Sequence, residues 1–298
     1  MAANPIPNLL EENPSHDLSG FVHKTEQHCF AAGGFSEIYK GIYAFTQGGR
    51  NREVAVAIKV FRGVHTNPQE LQKMTRRMNR ESHLWSSLEH PNIVPFLGTA
   101  HVPDTLPCPA LISKLCLSGP IMGYLALHPE ANRYDMVKDI AKGLAYLHGR
   151  GAIHGDLKPH NILIDGGVAR LCDFGRSRVI GHRGYTTEFA GTYRYLAPEI
   201  LEPEQDAEEN EVAQILTMEA DVYSFAVTAL EVITGKAPYF FTNEEFRIIP
   251  LVVRGDRPIR EKYPPIPDTW WDMMTRCWAQ NPQDRPPMTV VVSRLLPI

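Results

Sequence analysis

Two polar clusters hold residue types suited to phosphoryl chemistry: His154-Gly155-Asp156-Leu157-Lys158-Pro159-His160-Asn161 and Asp173-Phe174-Gly175. Between them runs a hairpin pattern: Ile162 to Ile164, the turn Asp165-Gly166-Gly167, then Val168 to Leu171. A hairpin brings its ends together, so Asn161 and Asp173 are expected side by side with Asp156 nearby. Oxygen ligands converging there suit Mg²⁺, a hard cation that takes few protein ligands and prefers carboxylate and phosphate oxygens. Asp156 could accept a proton from an attacking hydroxyl. Lys158 adds positive charge where phosphate charge would shift. Asp and Asn are also favoured in turns, so any one cluster alone reads equally well as turn chemistry.

A further candidate pair lies upstream. Val54 to Phe61 is a β-branched run that reads as a mostly buried strand and carries Lys59. A helix follows, with Asn67 as cap, Pro68 at its first position and Glu70 three residues after the cap. Its inward stripe is Leu71, Met74, Met78, Glu81, Trp85 and Leu88, and Trp85 reads as core. A carboxylate on a core face is costly unless paired. Lys59 is the natural partner for Glu81; a Glu snorkelling at a helix edge is the other reading.

The elements that must position these residues form a strand-rich first third with one main helix, then a helix-rich remainder. Residues 1–20 read as a flexible tail, 21–113 as a first lobe, 114–119 as a connector and 120–298 as a second lobe, with a groove between the lobes. Met136, Ile140, Leu144 and Leu147 form a helical stripe. Residues 221–234 are apolar nearly all round, which places that helix in the middle of a domain, with Gly235 as its stop. Further helices are expected near 243–253 and 268–279. The length of 298 residues suits two domains or one two-lobed domain, and 43% hydrophobic with 21% charged residues is ordinary for a soluble globular chain.

The net charge of −4 gives no reason to expect nucleic acid as a partner. Nothing reads as a membrane span, a secretory signal or a lipidation site. Cys29, Cys108, Cys116, Cys172 and Cys277 are scattered and odd in number, which suits a reducing, cytoplasmic setting better than a disulfide framework or zinc.

Taken in order, Val56-Ala57-Ile58-Lys59, Glu81, His154 to Asn161, Asp173-Phe174-Gly175 and Ala197-Pro198-Glu199 resemble the signature set of eukaryotic protein kinases from about Phe21 to Leu296. The stretches Gly33 to Gly41, His90 to Val94, Asp221 to Phe225 and Cys277 to Pro286 are similar to the tyrosine-kinase-like group of serine/threonine kinases. The resemblance implies an α+β, bilobal protein-kinase fold that transfers the γ-phosphoryl of Mg-ATP to serine or threonine hydroxyls of protein substrates. Lys158-Pro159 after Asp156, and Gly191 to Tyr195 before Ala197, resemble the serine/threonine type.

By position, the resemblance implies that Lys59, paired with Glu81, holds ATP phosphates. Asp156 is then the catalytic base, Lys158 neutralises the γ-phosphate, and Asn161 and Asp173 hold Mg²⁺. Ala31, Gly33, Gly34, Phe35 and Ser36 correspond to the loop over the phosphates. The adenine would lie against Ile38, Ala57 and Leu163, with Ser113 as gatekeeper and Lys114 to Cys116 as hinge. Glu199 with Arg285 resembles the ion pair bracing the substrate segment, and Asp221 the residue tying down the catalytic-loop backbone.

The chain departs from the family pattern at several places. Ala31 and Ser36 replace the outer glycines of the phosphate loop, which restricts backbone approach to phosphate. Gly155 stands where most members carry an Arg that grips an activation-segment phosphate. This implies that phosphorylation at Ser177, Thr186 or Thr187 is not required through that route. Two other readings stand beside the kinase: a nucleotide-binding pseudokinase scaffold and a small-molecule phosphotransferase, the latter resembling His154-Gly155-Asp156. Glu202 to Glu211, with six carboxylates, reads as a solvated insertion.

Overall fold

The computed structural model describes residues 17–32, 36–62, 68–103, 109–179, 193–201, 216–242 and 245–296. The chain divides into two compact units, Met1–Leu117 and Ser118–Ile298. Gly33, Gly34, Phe35, Asn67, Cys108, Thr186, Thr187 and the acidic stretch 202–211 lie outside the described residues.

The first unit is an antiparallel sheet built from β1 (Val22–Lys24), β2 (Ala31–Ala32), β3 (Ser36–Gln47), β4 (Arg50–Phe61), β5 (Phe96–Ala100) and β6 (Ala110–Lys114). The order is β1-β3-β4-β6-β5, with β2 on β3. Strand alternation fixes what each face does. Val56, Ile58 and Val60 of β4 enter a core with Leu18, Val22, Tyr43, Leu97 and Ile112. Ala57 and Lys59 therefore face the other way. The β3–β4 ladder continues to Gln47 opposite Arg50 and leaves Gly48-Gly49 as the turn.

The tail reading is corrected at its end. Leu18 is 2% exposed, and its N–H donates to the Thr99 carbonyl at 2.7 Å beside β5. An apolar side chain within a polar, Pro-rich stretch gave no periodic signal, yet the open edge of β5 and a core site for Leu18 capture it.

Helix α1 (Pro68–Ser86) follows β4. Met78, Glu81, Trp85 and Leu88 are all buried, as the stripe spacing implies. The Trp85 indole N–H donates to the Val94 carbonyl at 2.7 Å, and its ring lies 5.3 Å from Phe96. Trp85 is thus a core residue with its polar edge satisfied.

The second unit is mainly helical: α2 (Ile121–Leu127), α3 (Arg133–Gly149), α4 (Pro198–Leu201), α5 (Met218–Thr234), α6 (Ile248–Val253), α7 (Asp268–Cys277) and α8 (Met288–Leu295). Short strands β7 (Ala152–Ile153) and β10 (Arg178–Val179) pair, as do β8 (Ile162–Asp165) and β9 (Val168–Leu171). The Asn132 side chain caps α3 by accepting from Tyr134 and Asp135 N–H, and the Thr217 side chain caps α5 by accepting from Ala220 N–H. Helix α5 is buried from Ala220 to Leu230 without a break, the central place its all-apolar sequence demanded. The helix expected over 243–253 is a 3₁₀ turn, Glu245–Arg247, leading into α6. No helix among the described residues is long and apolar enough to cross a membrane.

Trp85→Phe keeps the ring but leaves the buried Val94 carbonyl without its donor. We expect a lower melting temperature, corresponding to about 1–3 kcal/mol. Differential scanning calorimetry of the full chain checks this, and an unchanged melt would contradict it.

Candidate active site

In the first unit, sheet register gathers the sequence-predicted residues on one face. Ile38 lies opposite Lys59, Ala31 opposite Ile38, Ser36 opposite Phe61, and Ala57 opposite Ser113. Paired residues share a face, so Ala31, Ser36, Ile38, Ala57, Lys59 and Ser113 all lie opposite the Val56 and Ile58 core face. Lys59 Nζ reaches Glu81 Oε1 at 2.6 Å, with their side chains 12% and 1% exposed. The charge on the core stripe of α1 is thus paired across 22 positions of sequence, which settles the alternative of a snorkelling Glu. Lys114 N–H donates to the Pro95 carbonyl, Leu115 N–H to the Ala55 carbonyl, and Cys116 is buried, so this stretch is held against β4 and β5.

In the second unit, Asp221 in the first turn of α5 organises the loop after β7. Its carboxylate accepts from His154 N–H at 2.7 Å and Gly155 N–H at 2.9 Å, and lies 3.0 Å from His148 Nε2. It is 2% exposed, so these bonds compensate its loss of water. His154 is fully buried. Asp156 N–H donates to His154 Nδ1 at 3.3 Å, which assigns the proton to Nε2, where it faces the Cys172 carbonyl at 3.2 Å. The His154 ring lies 5.6 Å from Phe174, joining the two polar clusters.

The Asp156 carboxylate is ringed by donors. Lys158 Nζ is 3.0 Å from Oδ2, and Asn161 Nδ2 donates to Oδ2 at 3.0 Å and to the Asp156 carbonyl at 2.8 Å. With its nitrogen committed to Asp156, the Asn161 amide has its oxygen left for a ligand. Cys172 N–H donates to the Asn161 carbonyl at 3.0 Å, so the β8–β9 hairpin does bring Asn161 next to the Cys172-Asp173 step. Asp173 has φ 63°, a left-handed backbone uncommon outside glycine but tolerated by Asp. The donor set of amide and carboxylate oxygens fits a hard divalent cation. Leu163 is half-buried within β8 and bridges to Pro120.

Glu199 and Arg285 form the anticipated pair, bidentate at 2.6 and 2.8 Å, with the Arg285 side chain fully buried and Glu199 half-buried. The remaining guanidinium protons go to the Glu219, Ala279 and Gln280 carbonyls, and the guanidinium lies 5.3 Å from the Tyr223 ring. Nearby, Tyr195 O–H donates to Glu231 at 2.7 Å, and burial pushes the Glu231 carboxyl above its ordinary value.

Two features escaped the sequence reading. Ser177, named as a candidate phosphate acceptor, is 5% exposed and its hydroxyl donates to the His154 carbonyl at 2.9 Å. That removes it from the surface, a burial no local pattern signals. Arg176 donates to Asp156 Oδ1 at 3.2 Å from 20 positions downstream. An Arg in a Gly-Arg-Ser-Arg run carries no signal of such a contact.

Residues 25–295 match the family of protein tyrosine and serine/threonine kinases. Similar relatives include the serine/threonine-protein kinase STY17 of Arabidopsis thaliana, 28% identical over 89% of this chain and 43% of that protein. The serine/threonine/tyrosine-protein kinase HT1 of the same plant is 30% identical over 89% of this chain and 64% of its own length. The probable serine/threonine-protein kinase drkB of Dictyostelium discoideum is 33% identical over 86% of this chain and 34% of its own. The chain thus spans between about a third and two thirds of these relatives' lengths. A match covering nearly the whole chain, on a fold whose polar clusters converge as described, identifies the chain as a member of the protein tyrosine and serine/threonine kinase family.

Proposed function

We propose that this chain is a protein serine/threonine kinase that transfers the γ-phosphoryl of Mg-ATP to hydroxyls of protein substrates. The observation that carries the reading is the Asp156 carboxylate, fixed between Lys158 and Asn161 on a backbone tied to Asp221. Such a carboxylate can accept the proton of an attacking hydroxyl while its neighbours stay fixed. Lys59, oriented by Glu81, holds ATP phosphates; Lys158 offsets charge on the transferred group; Asn161 and Asp173 hold Mg²⁺, which when bound draws charge from the phosphates. Ala31, Gly33, Gly34, Phe35 and Ser36 cover the phosphates. Ile38, Ala57, Leu163, Ser113, Lys114 and Cys116 contact the base. The serine/threonine preference rests on Lys158-Pro159 and on the similarity to relatives named as serine/threonine-protein kinases. A reducing, cytoplasmic setting is the reading that the five scattered cysteines, with no C-x-x-C pair among them, support.

A pseudokinase scaffold is the second reading, favoured by Ala31 and Ser36 in the phosphate loop. Transfer from labelled Mg-ATP to a generic basic protein, followed by phosphoamino-acid analysis, separates the two. We expect phosphoserine or phosphothreonine, reduced at least about 100-fold in Asp156→Asn, the scale of a lost general base. Nucleotide raising the melting temperature with no label transferred would establish the scaffold instead.

The start of the segment after Gly175 is held by contacts within the second unit. Ser177 bonds to His154, and Arg178 and Val179 pair with Ile153 and Ala152. We therefore expect Thr186→Ala/Thr187→Ala to retain the wild-type rate. Loss of activity in this double variant would contradict that.

A further inference from the structure

The catalytic carboxylate has more donors around it than its assigned neighbours supply. Asp156 Oδ1 lies 3.2 Å from Lys158 Nζ and 3.2 Å from Arg176 Nη1, while Oδ2 lies 3.0 Å from Lys158 Nζ and 3.0 Å from Asn161 Nδ2. A carboxylate offers about four lone-pair positions, so each oxygen is already served twice. The Asp156 and Arg176 side chains are 9% and 11% exposed, which makes theirs a largely desolvated ion pair.

The donors differ in what the reaction asks of them. Under the proposed function Lys158 turns its charge to the transferred phosphoryl group, which frees a position on each oxygen. Arg176 has no such second duty. Its planar fork is pre-organised and loses little freedom when held. It is the contact that can hold Oδ1 while the carboxylate takes a proton from the substrate hydroxyl.

The backbone is shaped to allow this approach. Gly155 has φ +75°, and a Cβ there would lie 2.9 Å from the Arg176 carbonyl oxygen and 3.3 Å from Leu216 Cδ1. A side chain at position 155 would meet backbone that cannot swing away. Gly155 thus makes room for residue 176 to pass against the catalytic loop, and the Arg176 side chain reaches back to Asp156. The departure at Gly155 and the Arg at 176 form one arrangement.

The geometry points to Arg176 as a positioning residue that fixes the rotamer of the catalytic Asp156 through a phosphate-independent tie, with Gly155 as the opening that admits it. This rests on the proposed kinase reading. The test uses Arg176→Met and Arg176→Lys in the full chain, with initial rates measured from labelled Mg-ATP on a generic basic protein. The tie predicts that Arg176→Met lowers kcat roughly 10- to 100-fold, the scale of a misplaced reacting group. KM for ATP stays unchanged and Arg176→Lys recovers part of the rate. Gly155→Ala should lower kcat in the same direction by displacing residue 176.

A readout independent of turnover is the melting temperature of Arg176→Met with and without Asp156→Asn. Contacting partners give non-additive shifts. An unchanged or raised kcat in Arg176→Met, with additive melting shifts, overturns the proposal; a raised kcat would make Arg176 a block on the base. Non-additive shifts among the variants, together with a wild-type chain that transfers no phosphate, would keep the tie and overturn the kinase reading.

Discussion

Much of the second unit's chemistry hangs on one buried carboxylate. Asp221 receives the N–H groups of His154 and Gly155 and faces His148, all within 3.0 Å. Charge-assisted hydrogen bonds of this kind contribute about 1.5–3 kcal/mol each, and an unpaired buried charge costs more. The loop therefore keeps one backbone conformation. That conformation sets the direction of Asp156, the tautomer of His154 and the distance from Asn161 to its neighbours. Asp221 can serve as the anchor because it sits at the start of α5, whose apolar surface is enclosed on all sides. An immobile helix makes an immobile carboxylate.

The same rule, that a buried charge must be matched, shapes the other fixed points. Glu81 is on the core face of α1 and is matched by Lys59 from the middle of β4. Arg285 is enclosed and is matched by Glu199 together with three carbonyl oxygens. Neither pair is strong evidence of stability, since well-packed apolar residues could do as well. What each pair contributes is specificity of place. A lysine held 2.6 Å from a buried carboxylate presents its ammonium at one point, and a segment clipped by a bidentate guanidinium cannot slide.

The departures from the family pattern acquire a common physical sense. With Gly155 in a left-handed conformation and without a side chain, the chain after Gly175 passes close against the catalytic loop. The Ser177 hydroxyl, the β7–β10 pairing and the Arg176 guanidinium then hold it there directly. The start of this segment is thus anchored by ordinary hydrogen bonds and one ion pair.

Local sequence determined a great deal. The β-branched run Val54 to Phe61, the α1 stripe, the Gly166-Gly167 turn between β8 and β9 and the mostly apolar α5 were each legible, because periodicity and turn chemistry act over a few residues. The order of the polar clusters made the family readable and singled out Lys59, Glu81, Asp156, Asn161 and Asp173 as its candidate site residues, since that chemistry demands those residue types. Burial and approach between distant segments belonged to tertiary structure alone. It decided that Leu18 closes a core from within an apparent tail, that Ser177 is withdrawn from the surface, and that Arg176 crosses 20 positions to reach Asp156. Such contacts depend on which backbones pass within a few ångströms of one another, and packing alone fixes that distance.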